Sequence, residues 1–273
     1  MTAQSRPSRF PLPLERVKKT GATLGSVPRE PLRPQRPLHE AAADAKRLVP
    51  PSGLGLDSSG VRTRMVERLK KGGLRDEAVI AAMLRVPRHE FVDTALAAQA
   101  YEDTALPIGH QQTISAPSSV ARMIELLMGG DGARKRGQLG RVLEIGTGCG
   151  YQAAVLAQLS TQVISVERIK PLHDGARERL SSLLKPGAVR LVHGDGRLGH
   201  APNAPYDSIV AAACGEDLPQ AWLEQLAVGG RLVAPVAMTG AQQALVVVDR
   251  NNQGYIRSIH ETVMFVPLKS GLD

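Results

Sequence analysis

Apolar residues recur at helical spacing in three stretches before residue 130 and in short unbroken runs after residue 140, so the period of the pattern changes along the chain. Val61, Met65, Val66 and Leu69 mark a first helix that stops at Gly72-Gly73, with Asp57, Ser58 or Ser59 available to cap it. Asp76 is placed to cap a second helix carrying Val79, Ile80, Met83 and Leu84, which Pro87 closes. A third starts near Pro117, with Val120, Met123, Ile124 and Leu127 on one face. Residues 129–140 read as a polar, glycine-rich loop. Strand-like runs at 142–145, 162–166, 189–193, 205–210 and 229–236 then alternate with helical segments, the longest of these at 171–183. Two further runs, 244–249 and 255–266, flank an Asn-Asn-Gln-Gly turn. Alternation of this kind predicts an α/β domain: a doubly wound, mostly parallel sheet with helices on both faces, preceded by an N-terminal helical subregion. There is no internal repeat at solenoid or propeller period.

The junction after the first strand carries the most chemistry. Val142-Leu-Glu-Ile145 runs into alternate glycines at 146, 148 and 150, and a helical pattern begins at Tyr151. Glycine admits positive φ and close approach of a ligand. A strand, a tight turn and a helix N-terminus together make a site for a nucleotide-like ligand. A dinucleotide fingerprint requires glycine at the first, third and sixth places, and the sixth place here is Tyr151. The second strand ends at Glu167, a carboxylate placed to accept from both ribose hydroxyls. The third ends at Asp195-Gly196, within reach of an adenine amino group. Each feature has a plainer reading alone: a strand–helix connection, a solvated strand-end carboxylate, an Asp-Gly turn. In register in one α/β repeat, acidic residues at three successive strand ends suit a cofactor with a sulfonium and an ammonium but no phosphate. S-adenosyl-L-methionine is the expected cofactor. Its expected contacts are Glu144 and the turn residues Gly146, Thr147, Gly148 and Gly150, followed by Glu167, Asp195 and Gly196.

Val142 to Gln152 resembles the first motif of class I methyltransferases, a Rossmann-like group, and its particular form resembles the protein-L-isoaspartate O-methyltransferases. Residues 86–92, 100–110 and 112–115 resemble that family's upstream signature, and residues 189–196, 205–210, 229–236 and 265–268 continue the likeness. It covers roughly residues 60–268; the upstream block is its specific part. Gln111 departs from the pattern, which has a small residue there. The resemblance implies methyl transfer to the α-carboxylate of L-isoaspartyl residues in damaged proteins and peptides. The ester then lets the chain cyclise to a succinimide, which reopens in part to normal aspartate. It also implies Ser115 as the active-site serine, with Thr113, Ile114 and Val266 beside the acceptor peptide.

Composition adjusts this picture at its edges. Residues 1–58 hold ten Lys/Arg against five Asp/Glu and nine of the 19 prolines, the composition of a disordered Pro/Arg-rich extension. The expected methyltransferase domain is 59–273, divided into a helical substrate-side region (59–128) and a cofactor-binding α/β core with C-terminal strands (141–273). Much of the net charge of +8 therefore belongs to the extension and argues little for a nucleic-acid-binding core. Aromatic residues make up 3% of the chain, too few for stacking on single strands. The cysteines, Cys149 and Cys214, form no disulfide framework or metal cluster, and a reducing, cytoplasmic setting is expected. No apolar run reaches the ~18–20 residues that span a bilayer, and the extension lacks the apolar stretch of a secretory signal. Expected partners are isoaspartyl proteins and peptides, with no metal, no specific nucleic acid, no membrane and no second copy of the chain.

A carboxylate acceptor is ionised at neutral pH, so its methylation needs alignment and shielding rather than a general base. A hydroxyl bonded to one carboxylate oxygen aims the other. Ser115 suits that task, but lying two residues before Pro117 it also suits a helix cap, and burial of the site must decide. His110 is not required as a base, and Cys149 reads as a packing residue. Two rivals remain. An amino-group methyltransferase acting on nucleic acid would carry side-chain acceptors after the fourth strand, where this chain reads Val210-Ala-Ala-Ala-Cys214. A noncatalytic scaffold would not need intact Glu144, Gly146, Gly148, Glu167 and Ser115.

Overall fold

The computed structural model describes residues 59–273; the extension expected at 1–58 lies outside the described residues. Helix α1 (Ser59–Lys71) buries Met65, Val66 and Leu69, and the chain reverses at Gly72-Gly73. Helix α2 (Glu77–Arg85) is capped as expected, with Asp76 Oδ1 accepting from the amides of Ala78 and Val79 at 3.0 Å each. Such a cap contributes about 1 kcal/mol. Helix α3 (Pro117–Met128) buries Val120, Met123, Ile124 and Leu127 on the expected face.

Between α2 and α3 the structure adds what periodicity could not show. Two short stretches of 3-10 helix, Arg88–Phe91 and Thr94–Gln99, lead to a hairpin of β1 (Leu106–Gly109) and β2 (Gln112–Ile114). Its loop residues, His110 and Gln111, both have positive φ (51° and 57°), as a two-residue primed turn requires. The region read as a loop at 129–140 instead contains a short helix, α4 (Asp131–Arg136), closed by Gly137 in the left-handed conformation.

From β3 (Arg141–Ile145) onward, strands and helices alternate. They are α5 (Tyr151–Leu156), β4 (Gln162–Glu167), α6 (Lys170–Leu183), β5 (Val189–His193), β6 (Tyr206–Ala211), α7 (Gln220–Gln225) and β7 (Leu226–Ala237). Two hairpin-linked strands, β8 (Gln243–Asn251) and β9 (Gly254–Val263), follow. The seven strands lie in the order β5-β4-β3-β6-β7-β8-β9. Pairing is parallel from β5 to β7 and antiparallel from β7 to β9. The last strand ends at Val263, three residues short of the expected Val266.

Alternate residues of the sheet face two separate cores, as a period of two requires. Val142, Val163, Val210 and Val247 point into the layer covered by α1, α2, α3 and α5. Leu143, Ile164, Ile209 and Val246 point into the other, around Trp222. Strand order reverses at β3, with β4 on one side and β6 on the other. A crevice opens there beyond the carboxyl ends of the strands, where open α/β sheets bind ligands.

Candidate active site

A pocket of about 850 Å³ of empty space, open solvent at its mouth included, occupies that crevice. Its floor is the glycine turn. Gly146 N donates to Val166 O and Gly148 N to Glu167 Oε2, each at 2.9 Å, so the turn is tied to the end of the neighbouring strand. Ile169 N donates to Glu167 Oε1 at 2.9 Å. Glu167 is buried and lines the pocket. Its two backbone bonds orient the carboxylate and leave each oxygen a further lone pair for a ligand hydroxyl. Glycine is favoured at Gly148 by its positive φ and a tight contact, and required at Gly196 by contact. A Cβ on Gly148, whose φ is +55°, would sit 3.2 Å from Ile108 Cδ1 of the hairpin. One on Gly196 would sit 2.6 Å from Ile145 Cγ2.

Glu144 lies beneath this floor rather than in it. Strand register sets Ser165 opposite Glu144. Ser165 Oγ donates to Glu144 Oε2 at 2.5 Å and shares a second hydrogen bond with the hydroxyl of Thr147, which lines the pocket. Burial pushes the Glu144 carboxyl up to about 8, against the opposing bond from Ser165. The Gln152 amide lies close enough to favour the ionised form slightly, yet neither of its polar atoms reaches a hydrogen bond. Gln152 is buried and lines the pocket, so these two orphaned atoms stand in its wall.

At the mouth, β2 delivers Thr113, Ile114 and Ser115 to the same pocket. The cap of α3 is Ala116, and it makes no side-chain bond. Asp103 Oδ1 accepts from Ser118 N at 2.9 Å instead, so a residue from the preceding loop serves the helix end. The Ser115 hydroxyl has no partner among the described residues, and the capping reading of it falls.

Asp195, expected near an adenine, has an amide donor on each oxygen of its carboxylate. Oδ1 accepts from Arg197 N at 2.9 Å and Oδ2 from Gly271 N at 2.7 Å. Arg168 Nε donates to Gly271 O at 3.0 Å, and Asp273 N donates to Arg168 O at 3.0 Å. Residues 269–273 thus form a clasp across the ends of β4 and β5, and Lys269 faces the pocket. Val266 lines the pocket as expected, with its carbonyl accepting from Cys214 N at 2.8 Å.

The structure brings nine of the expected residues to one pocket: Thr113, Ile114, Ser115, Gly146, Thr147, Gly148, Glu167, Gly196 and Val266. Glu144, Gly150 and Asp195 stand outside its lining and support it: Glu144 through Ser165, Gly150 as the entry to α5, Asp195 through the clasp. Sequence reasoning gave no role to Gln152, Arg168, Asp103 or the buried Arg88. Gln152 closes the glycine motif and Arg88 sits inside the upstream signature, so both were within view. Cys149 also lines the pocket, with burial raising its thiol above the ordinary range, which suits a packing residue better than a nucleophile. No group of His, Cys, Asp and Glu able to hold a metal occurs among the described residues.

An acidic residue for a ribose, a cradle a Cβ would fill and two unpartnered amide atoms all fit S-adenosyl-L-methionine. Fold and site together define a class I methyltransferase dependent on that cofactor. A family model described as protein-L-isoaspartate(D-aspartate) O-methyltransferase matches residues 61–273. The chain is 61% identical to the protein-L-isoaspartate O-methyltransferase of Methylibium petroleiphilum, over all of both chains. It is 58% identical to that of Leptothrix cholodnii, over 97% of this chain and 95% of the relative. One solved protein-L-isoaspartate O-methyltransferase superposes with a TM-score of 0.68 at 28% identity, over 77% of this chain and 67% of that one. A Plasmodium falciparum structure described as a putative enzyme of this kind, in complex with S-adenosyl-L-homocysteine, superposes with a TM-score of 0.65 at 26% identity. That match covers 76% of this chain and 98% of the other. The chain belongs to the protein-L-isoaspartate O-methyltransferase family.

Proposed function

We propose that the family's reaction, methylation of the α-carboxylate of L-isoaspartyl residues in damaged proteins and peptides, is carried in this chain by Ser115 at the mouth of the pocket. The observation that carries the assignment is the Ser115 hydroxyl, which Asp103 relieves of capping and which lines the same pocket as Glu167 and the glycine turn. When bound, S-adenosyl-L-methionine supplies an activated methyl group whose sulfur departs as a neutral thioether. The chain's own task is to hold and aim. Gly146, Thr147, Gly148, Gln152 and Glu167 form the cofactor side, and Gly196 keeps that wall thin. Ser115 donates to one oxygen of the acceptor carboxylate and leaves the other free to react. Thr113, Ile114 and Val266 flank the acceptor, which enters as an exposed peptide segment.

No proton need be removed from an ionised carboxylate, so the absence of a base from the pocket's assigned roles is chemically consistent. The chain acts on its acceptor as a monomer in the cytoplasm, without a nucleic acid or a membrane. The two free, buried cysteines support the compartment, and the low aromatic content supports the lack of a nucleic-acid partner. No helix among the described residues is long and apolar enough to cross a membrane. The test is a methyl-transfer assay on matched aspartyl and isoaspartyl peptides, with a nucleic-acid acceptor alongside. Only the isoaspartyl peptide should be methylated, and equal transfer to both peptides refutes the reading. Ser115→Ala should lower kcat about 100-fold while cofactor affinity stays unchanged, because alignment alone is disturbed. Unimpaired turnover in that variant removes Ser115 from the reaction.

A further inference from the structure

Arg88 is completely buried and makes no salt bridge among the described residues; the carboxylate of Asp103 acts on it only at longer range. Its Nε donates to Ala100 O and its Nη2 to Ser115 O, each at 2.7 Å. Its guanidinium carbon stands 4.7 Å from the centre of the Tyr151 ring, and its Nη1 has no partner. Removing a guanidinium from water with no carboxylate in contact is costly, and apolar side chains of similar volume are commonly as stable or more so in such places. Stability alone therefore gives a poor account of this residue.

What Arg88 touches gives a better one. Ser115 is the residue that aims the acceptor. Tyr151 opens α5 directly after the glycine turn, is fully buried, and lines the pocket on the cofactor side. Ala100 begins the loop whose Asp103 serves the end of α3. In the same loop, Arg68 Nη2 donates to Tyr101 O at 2.5 Å. A guanidinium is a rigid planar fork, so bonds from Nε and Nη2 fix the two carbonyls relative to one another while the flat face meets the tyrosine ring. One planar group thereby sets the main chain of Ser115 against the helix that follows the glycine turn.

We propose that Arg88 is a positioning residue for methyl transfer, holding Ser115 at a fixed distance from the glycine turn through the Ser115 carbonyl and the Tyr151 ring. The inference rests on the role given to Ser115 above. Lysine at this position keeps the charge but cannot present two coplanar donors and a flat face together. Arg88→Lys should therefore lower kcat on an isoaspartyl peptide about 10- to 100-fold, the scale set by a small misplacement of reacting groups. Its cofactor dissociation constant, read by calorimetry, should remain within about threefold of the wild type, since uniform binding is untouched. The deciding measurement is the double-mutant cycle with Ser115→Ala. If Arg88 acts through Ser115, then Arg88→Lys costs less than about threefold when Ser115 is already alanine. A general loss of folding would multiply in both backgrounds, so the cycle still decides if the lysine variant melts early. Turnover of Arg88→Lys within about twofold of wild type, or losses that multiply, overturns the proposal. Full activity of Ser115→Ala alone overturns the serine assignment and this inference together. An impaired Ser115→Ala variant with multiplying losses overturns this inference alone.

Discussion

Two carboxylates at the ends of adjacent strands have opposite duties, and their surroundings explain why. Glu167 faces the pocket and is steadied by two amides. Replacing it with alanine should cost roughly 2–3 kcal/mol of S-adenosyl-L-methionine affinity, the worth of two charge-assisted bonds. Unchanged affinity by calorimetry would take Glu167 out of the site. Glu144 is sealed below, with its titration pushed from about 4.5 up to about 8 by burial. A carboxyl whose folded pKa is raised contributes stability that is whole below the unfolded value and is lost as pH climbs to the folded one. The window for Glu144 thus runs from about pH 4.5 to 8. Glu144→Gln, neutral at every pH, should melt at least about 2–4 °C above the wild type at the top of that window, equivalent to about 1 kcal/mol. The gap should close towards its lower end. A constant difference across the window would mean that Glu144 is ionised in the folded protein.

Among the elements, those with a sustained period were legible and those held by distant contacts were not. The three N-terminal helices and the strands from β3 to β8 announced themselves because each keeps one face, or both, against a core, whereas β9, largely exposed, was marked by the turn before it. The 3-10 turns at 88–99 and helix α4 are each six residues or fewer, too short to display a period. Within the site, the glycine turn and Glu167 were readable because a strand, a turn and a strand end lie close in sequence. The service Asp103 gives to α3 spans 15 residues and the bond from Gly271 to Asp195 spans 76, and no local pattern records either. The β1–β2 hairpin shows both sides of this limit. Gln111 stood out in sequence as a departure from a small residue, and the structure gives the reason: it occupies the left-handed region with φ of 57°. A side chain there costs about 1–2 kcal/mol, while glycine adds back part of that in chain entropy. Gln111→Gly should accordingly stabilise the protein by about 0.5–1 kcal/mol in denaturant titrations. A lower midpoint in the variant would mean that the turn is not strained.

On the scale of the whole molecule, the family match begins at residue 61, two residues into α1. The N-terminal helices, the sheet and the clasp all lie within 59–273 and supply every residue assigned to the reaction. Deleting residues 1–55 should therefore leave turnover and melting temperature close to those of the full chain. A large loss of either would show that the extension contributes to the domain. The clasp gives the opposite end of the sequence a different standing. Gly271 and Asp273 are bonded to Asp195 and Arg168, and Arg168 and Lys269 both face the pocket. Exposed hydrogen bonds of this sort open more readily than those of a core. A purification handle fused after Asp273 would be hitched to the rim of the cofactor pocket, whereas a small fluorophore attached there would register the cofactor's arrivals and departures.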